Sequence, residues 1–426
     1  MKILFISSTP IKKEFSLGNT FLNLFEDKNE IELASIFTRA GTPNDRVQHN
    51  FCITEKMILN NLIKGTQVGA KVKPSSDDCK TLPNNDRELH FARKYRFTLF
   101  FWMQDLIWKI GRWKSPELKN FITEYDPDII FTILSNSVSL NNLILHALRI
   151  SDAKLVLYAW DNNYSLKKFM ISPFRWIKHF LDRYSMRKVT KKASLFYVIS
   201  DVQKADYEKA FKKQCKVLTK AADFTGDAPV KNEYNDPLQL VYTGNIGLNR
   251  WKSLSQIANV LEKINANGVK AQLRIYTGNI ITDKISAALN LGESSFIMGS
   301  VSADEVERLQ NNADMLVHIE SLDLKNRLYV RQSFSTKIVD YLAAARPILA
   351  FGPKEVASIK HFANNNCAIV ADNEDELYKK LFDTIDNYDK LKELSLNAFE
   401  CGRKRHNKKD IDKMLKSDLE HLITIQ

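Results

Sequence analysis

The sequence predicts an α/β chain of two doubly wound domains with parallel sheets. Three observations carry that prediction. Lys2–Ser7 reads as a buried strand, Ser8–Phe15 as a loop and Thr20–Phe25 as an amphipathic helix, the strand–loop–helix opening of such folds. A second series starts at Leu238–Thr243, a strand that delivers the turn Gly244-Asn245-Ile246-Gly247. Between the two, Ala221–Pro237 carries Gly226, Pro229 and Pro237 with no apolar period, which marks a linker. A length of 426 residues, 44% of them hydrophobic, suits two domains of ordinary size with real cores. The expected boundaries are 1–225 and 238–405, with a terminal helix over 406–426.

In chain order, Gly18 and Asn19 fall in the loop leaving the first strand, at its carboxyl end, where such folds bind ligands. An ordinary Gly turn reads the same way. Ile31–Phe37 is a second strand. Residues 41–90 are polar, with Asn, Asp, Lys and Pro recurring, and Lys71–Asp78 within them reads as a mobile surface loop. Arg93–Trp113 interleaves aromatic and basic residues in a helix. That pattern suits an anionic membrane interface or a broad aromatic face packed on the first sheet. Leu118–Tyr125 is a helix, Ile129–Leu134 a buried strand, Val138–Arg149 a helix and Lys154–Tyr158 a strand. The last of these ends in Trp160-Asp161-Asn162-Asn163, and Asp161 is either a catalytic or acceptor-side acid or a capped loop residue. Phe174–Lys192 is a basic helix, Leu195–Ser200 a strand, Val202–Phe211 a helix and Cys215–Leu218 the last strand of the first series.

In the second series, the glycine turn after Leu238–Thr243 is followed by Arg250 and Lys252. Glycines let backbone approach a phosphate, and the basic residues can neutralise it. Leu254–Ile264 and Val301–Gln310 are helices, and Gln272–Tyr276, Ser295–Met298 and Ala313–Glu320 are strands. His318 reads as a packed strand histidine, and Glu320 ends its strand near the same cleft, where Arg327 and Arg331 would add charge. Ser333, Ser335 and Thr336 are natural N-caps for a helix whose apolar side is Ile338, Val339, Tyr341 and Leu342. Pro347 ends that helix, and Ile348–Phe351 is a buried strand. Lys337 in a first turn opposes the macrodipole, a cost that a bound phosphate would offset. Asp340, three residues on, could accept from sugar hydroxyls; a capped helix with a surface Lys–Asp pair is the plainer reading. Asp372–Ile385, Leu391–Arg405 and Lys408–Ile423 are helices.

A formal net charge of +12 favours anionic partners, or is simply a solvated basic surface. No zinc-finger or RRM signature accompanies it, so nucleic acid is not an expected partner. No apolar run of about 18 residues is present, and the first apolar run is too short for a signal peptide. The five cysteines are scattered, without CxxC or Cys/His ligand spacing, so no structural zinc is expected and a reducing compartment is.

The stretch Ser335-Thr336-Lys337-Ile338-Val339-Asp340-Tyr341-Leu342-Ala343-Ala344-Ala345-Arg346-Pro347-Ile348 resembles the donor-binding motif of GT-B glycosyltransferases, family 4 type, of bacterial polysaccharide assembly. Gly244–Lys252 is similar to that family's donor loop, and Tyr125–Phe131 to a strand of its first domain. The resemblance implies two facing Rossmann-like domains, with the terminal helix crossing back to the first. It implies a nucleotide-sugar donor bound to Gly244, Asn245, Gly247, Arg250, Glu320, Ser335, Thr336 and Asp340 in the second domain. Lys252 and Lys337 would stabilise the departing diphosphate, and Asp340 would hold the ribose. Gly18, Asn19 and Asp161 would face a glycan or polyprenyl-pyrophosphate acceptor in the first domain. Retention at the anomeric carbon follows from the resemblance alone. No metal-binding Asp-x-Asp is recognised, so neither metal nor other cofactor is expected. Three departures stand out: Gln332 replaces an acid, Ser253 a glycine, and Ala345 a glycine. Gln332 keeps open a non-catalytic binding partner, and a nucleotide-sugar epimerase is a further alternative.

Overall fold

A computed structural model describes residues 1–13, 16–74 and 98–424. Two compact units divide the chain. The first holds Met1–Leu166, Met170–Thr219 and Met414–Gln426; the second holds Lys167–Phe169 and Lys220–Lys413.

The first unit is built on β1 (Lys2–Ser7), β2 (Glu32–Phe37), β3 (His49–Cys52), β4 (Ala70–Val72), β5 (Ile129–Ile133), β6 (Lys154–Ala159), β7 (Leu195–Val198) and β8 (Lys216–Val217). Their order is β4-β3-β2-β1-β5-β6-β7-β8, parallel except for the β3–β4 pair. The central strands are buried along nearly their whole length, which is why they read as continuous apolar runs rather than alternating ones. Rings of Phe5, Phe21, Phe25 and Phe131 meet at centroid distances of 4.7 to 5.7 Å and fix the first helix on the sheet.

Two expectations need correction here. Lys71–Asp78 is not loop from its start: Lys71 and Val72 belong to β4, residues 75–78 lie outside the described ones, and β3 and the helix Glu55–Lys64 precede β4 in the same polar region. The helix is capped by Thr54, whose Oγ1 accepts from Met57 N, and stops at Gly65 in the left-handed conformation. β3 is hard to read because it buries Asn50, an amide made tolerable by Ser35 Oγ at 2.6 Å and Val47 O at 2.6 Å. Gly18 and Asn19 are not in a loop either, but inside the helix Ser16–Phe25.

The stretch Arg93–Trp113 is described from residue 98 on; its first five residues lie outside the described ones. The helix Thr98–Ile110 turns Trp108 inward, where its indole N–H donates to Glu55 Oε1 at 2.9 Å. Met103, Leu106 and Ile110 of the same helix are exposed.

The second unit is built on β9 (Leu238–Thr243), β10 (Ala271–Tyr276), β11 (Ser295–Gly299), β12 (Met315–Ile319), β13 (Ile348–Phe351) and β14 (Ile369–Ala371). All pairs are parallel, in the order β11-β10-β9-β12-β13-β14. The order reverses between β9 and β12, the point where such sheets open a crevice at their carboxyl ends. Asp314, fully buried, anchors the start of β12; its carboxylate accepts from Lys231 Nζ, Gln239 N at 2.8 Å and Asn235 Nδ2 at 2.8 Å.

The segment Ala221–Pro237 is not an open linker. Ala222 N donates to His406 O at 3.0 Å, and the buried Phe224 ring packs on Phe399 at 5.3 Å. Its turn residues masked these isolated apolar anchors. The terminal helix Lys408–Thr424 has its last turns in the first unit, where Tyr197 OH donates to Asp418 Oδ2 at 2.7 Å and Lys216 pairs with the same carboxylate.

Candidate functional site

The strongest constellation lies at the carboxyl ends of β9 and β12. Leaving β9, Gly244 stands beside a side chain: a Cβ there would come within 2.9 Å of Lys337 Nζ. The ammonium donates to Thr243 O at 2.7 Å. Lys337 opens the helix Lys337–Ala343, so this contact joins two elements distant in sequence.

After Gly244 the chain makes a tight turn. Gly247 N donates to Asn245 Oδ1 at 2.6 Å, and Tyr242 OH to Asn245 O at 2.8 Å. Leu248 and Asn249 take φ of +55° and +62°, which swings the chain into the helix Arg250–Ile264. Its first residue sends a guanidinium to Glu320, just past β12. Nη2–Oε2 is 2.8 Å and Nε–Oε2 is 3.0 Å. Ser253, where a glycine was the resemblance's norm, donates its hydroxyl to Glu320 O at 2.9 Å. The substitution thus ties the helix to the strand end.

The electrostatics set two nearby cations against two carboxylates, Glu320 beside Arg250 and Asp340 beside Lys337. Burial pushes the Glu320 carboxyl up, and Arg250 opposes this in part. Burial lowers Lys337, and the nearby Arg250 lowers it further. His318, buried in β12, is driven down to about 3 by burial and then by Arg250 and Lys337, so it is neutral. Two cations therefore stand close together, Arg250 held by the buried Glu320 and Lys337 answered by Asp340, and an incoming anion would relieve their mutual repulsion.

The structure thus brings together Gly244, Arg250, Glu320 and Lys337. Lys252 does not join them; it is exposed, with Nζ 5.7 Å from the Trp251 ring. Asp340 meets Lys220 Nζ at 2.6 Å, and both are partly open to solvent. Lys220 carried no sequence signal, because it sits at the edge of the presumed linker. Ser335 and Thr336 are half-buried at the helix start. The expected hydroxyl cap is not formed at Thr336, which is already in right-handed helical conformation and makes no side-chain cap bond. Ala345 adopts φ +49°, the left-handed turn for which the resemblance expected glycine. Arg346 behind it spends its guanidinium on the carbonyls of Asn311, Pro229 and Ala344 and is structural. Arg327 pairs with Glu355 at 3.1 Å.

In the first unit, Asp161 is exposed in the loop after β6. Its carbonyl accepts from Gln203 Nε2 at 2.9 Å and Asn163 N at 2.8 Å, which fixes the loop backbone. Asn19 is exposed, and Gly18 is buried against the Lys12 backbone.

No protein-family model matches the sequence, and no curated protein is significantly similar to it. Solved structures are similar over the whole chain. Sucrose-phosphate synthase from Thermosynechococcus elongatus has a TM-score of 0.63 at 11% identity, covering 100% of both chains. HepE of Anabaena, solved with UDP and glucose, has a TM-score of 0.62 at 12% identity, covering 99% of this chain and 100% of its own. Trehalose-6-phosphate synthase OtsA has a TM-score of 0.59 at 10% identity, covering 99% of each. The fold is therefore that of the two-domain GT-B glycosyltransferase structures.

Proposed function

We propose that the chain transfers a sugar from a nucleotide-sugar donor to a glycan or lipid-linked acceptor. The observation that carries this is the close pair of cations, Lys337 and Arg250, at the switch point between β9 and β12, with the buried Glu320 carboxylate holding Arg250 in place. A diphosphate is the anion whose size and charge suit such a pair beside a glycine turn. In this reading Gly244, Asn245 and Gly247 bring backbone to the diphosphate, with Ser335 and Thr336 adding hydroxyls. Lys337 stabilises the charge that develops as the nucleoside diphosphate leaves, and Arg250, held by Glu320, adds a fixed positive field. Asp340, steadied by Lys220, accepts from ribose hydroxyls. Lys252 closes over the outer phosphate from its exposed position. The neighbours' fold supports this reading, and HepE's bound UDP makes UDP-sugars the first donors to try.

The finer reading is a family 4-type, retaining enzyme of polysaccharide assembly. Asn19 and Asp161 would then face the acceptor. Exposed Phe174, Ile177 and Phe180, on the basic helix Pro173–Lys192, would rest on an anionic membrane. No described helix is long and apolar enough to cross one. The buried Gln332, where an acid was expected, favours a second reading in which the chain binds the donor without turning it over.

Turnover decides between the two. A panel of UDP-, GDP-, ADP- and dTDP-sugars is incubated with the protein and with lipid-linked glycan acceptors, and nucleoside diphosphate release is followed. Release that depends on acceptor supports transfer. Sugar epimerised without acceptor points to an epimerase, and binding without release to the non-catalytic partner.

A further inference from the structure

Four side chains that the site above does not use converge inside the second unit. His361 stands in the helix Ala357–Asn365, and Cys367 just beyond it. Cys401 lies near the end of the helix Tyr388–Arg405, and His406 caps that end. The donor atoms of His361, Cys367 and Cys401 all lie within 4.8 Å of one another. His361 Nε2 is 3.6 Å from Cys401 Sγ and 3.5 Å from His406 Nε2.

Those distances have a meaning in coordination chemistry. Zinc bonds of about 2.3 Å to sulfur and about 2.0 Å to imidazole give a tetrahedron with a sulfur–nitrogen edge of roughly 3.5 Å and a nitrogen–nitrogen edge of roughly 3.3 Å. The two edges that meet at His361 Nε2 fit within a few tenths of an ångström, and Cys367 Sγ lies within 4.8 Å of the His361 and Cys401 donor atoms. The chain is also bent to supply the ligands. Asn366 at φ +50° turns Cys367 back, so that its N–H points to Phe362 O at 3.4 Å. The Phe334 ring lies against both imidazoles, at 5.1 Å from His361 and 5.7 Å from His406. Cys367, Cys401 and His406 are buried.

We propose that His361, Cys367, Cys401 and His406 form a structural zinc site that ties the helix Ala357–Asn365 to the helix Tyr388–Arg405. Soft thiolates with imidazoles in a tetrahedron select zinc over magnesium or calcium. On binding, each thiol gives its proton to solvent, and two thiolates with two neutral imidazoles balance the ion's charge. The proposal departs from the expectation of no zinc, and the spacing gives the reason. Five residues separate His361 from Cys367 and four separate Cys401 from His406, so no ligand pair forms a CxxC. The fold, not the sequence order, assembles the set.

The test uses the full chain, untagged and kept reduced. Purified protein is incubated with excess Zn²⁺, dialysed against metal-free buffer and assayed for metal; a parallel sample is loaded with Co²⁺. The proposal expects one zinc per chain. It also expects a cobalt spectrum with thiolate-to-metal charge transfer and the intense visible bands of a tetrahedral centre, neither of which depends on a variant folding. Cys401→Ser and His361→Asn should each abolish stoichiometric retention. Three results overturn the proposal: zinc far below one per chain in the wild type, full retention in Cys401→Ser, or a Cys367–Cys401 disulfide in the peptide map.

Discussion

Gly18 and Gly244 each follow the first strand of a doubly wound sheet, and the two glycines do different work. At Gly18 a Cβ would fall 2.0 Å from Lys12 O and 2.4 Å from Lys12 N, so the missing side chain makes room for backbone. At Gly244 the nearest atom is Lys337 Nζ, the end of a flexible side chain, at 2.9 Å. One glycine is spent on packing and the other on bringing a charge to a strand end. A strand-end glycine is therefore a weak signal until its neighbour is known.

The largest expected effect tests the setting of the second glycine. Glu320→Ala leaves the Arg250 guanidinium without its buried partner and should cost about 3 kcal/mol of unfolding free energy, read by urea denaturation. A change below about 0.5 kcal/mol would show that solvent already screens the pair. Next comes Gly18→Ala, which backbone cannot easily accommodate; a loss of about 1–3 kcal/mol is expected. Gly244→Ala should behave the opposite way. Lys337 can move aside, so stability should change by less than about 1 kcal/mol, while nucleotide affinity falls about tenfold or more as a charge-assisted contact is displaced. If Gly244→Ala unfolds the protein and Gly18→Ala does not, the contrast is reversed and the reading of both sites fails.

The smallest effect is on pH. Lys337 is lowered from its ordinary 10.5 by burial and then by Arg250. In the free protein the unfolded chain therefore binds the extra proton between the lowered value and 10.5, and this residue's contribution to stability rises with pH there. A bound diphosphate favours the ammonium, so affinity should fall as pH climbs through the lowered value. Titration calorimetry across alkaline pH reads this, and Lys337→Arg should flatten the fall.

Much of the fold was legible. Lys2–Ser7, Leu238–Thr243 and Ile348–Phe351 match to the residue, because strands covered on both faces must be apolar throughout. β3 escaped because Asn50 breaks the apolar run and its side-chain oxygen finds its donor, Ser35, on the neighbouring strand. The candidate site was legible where motif and contact coincide, at Gly244, Arg250, Glu320 and Lys337. It was not legible where partners are distant, as with Lys220 and Asp340, or where tertiary packing overrode local preference, as at Thr336. The His361–Cys367–Cys401–His406 cluster is the extreme case, since only the packing of two helices brings it together.

The central claim is that Lys337 holds the diphosphate of a nucleotide sugar. Its most direct test is thermal stabilisation by UDP, GDP, ADP, dTDP and CMP and their sugars, in the wild type and in Lys337→Ala. The account predicts that one nucleotide class raises the wild-type Tm and that the shift is lost in the variant, which should itself fold normally. An equal shift in both proteins would contradict it, because the nucleotide would then bind without the residue on which the site is built.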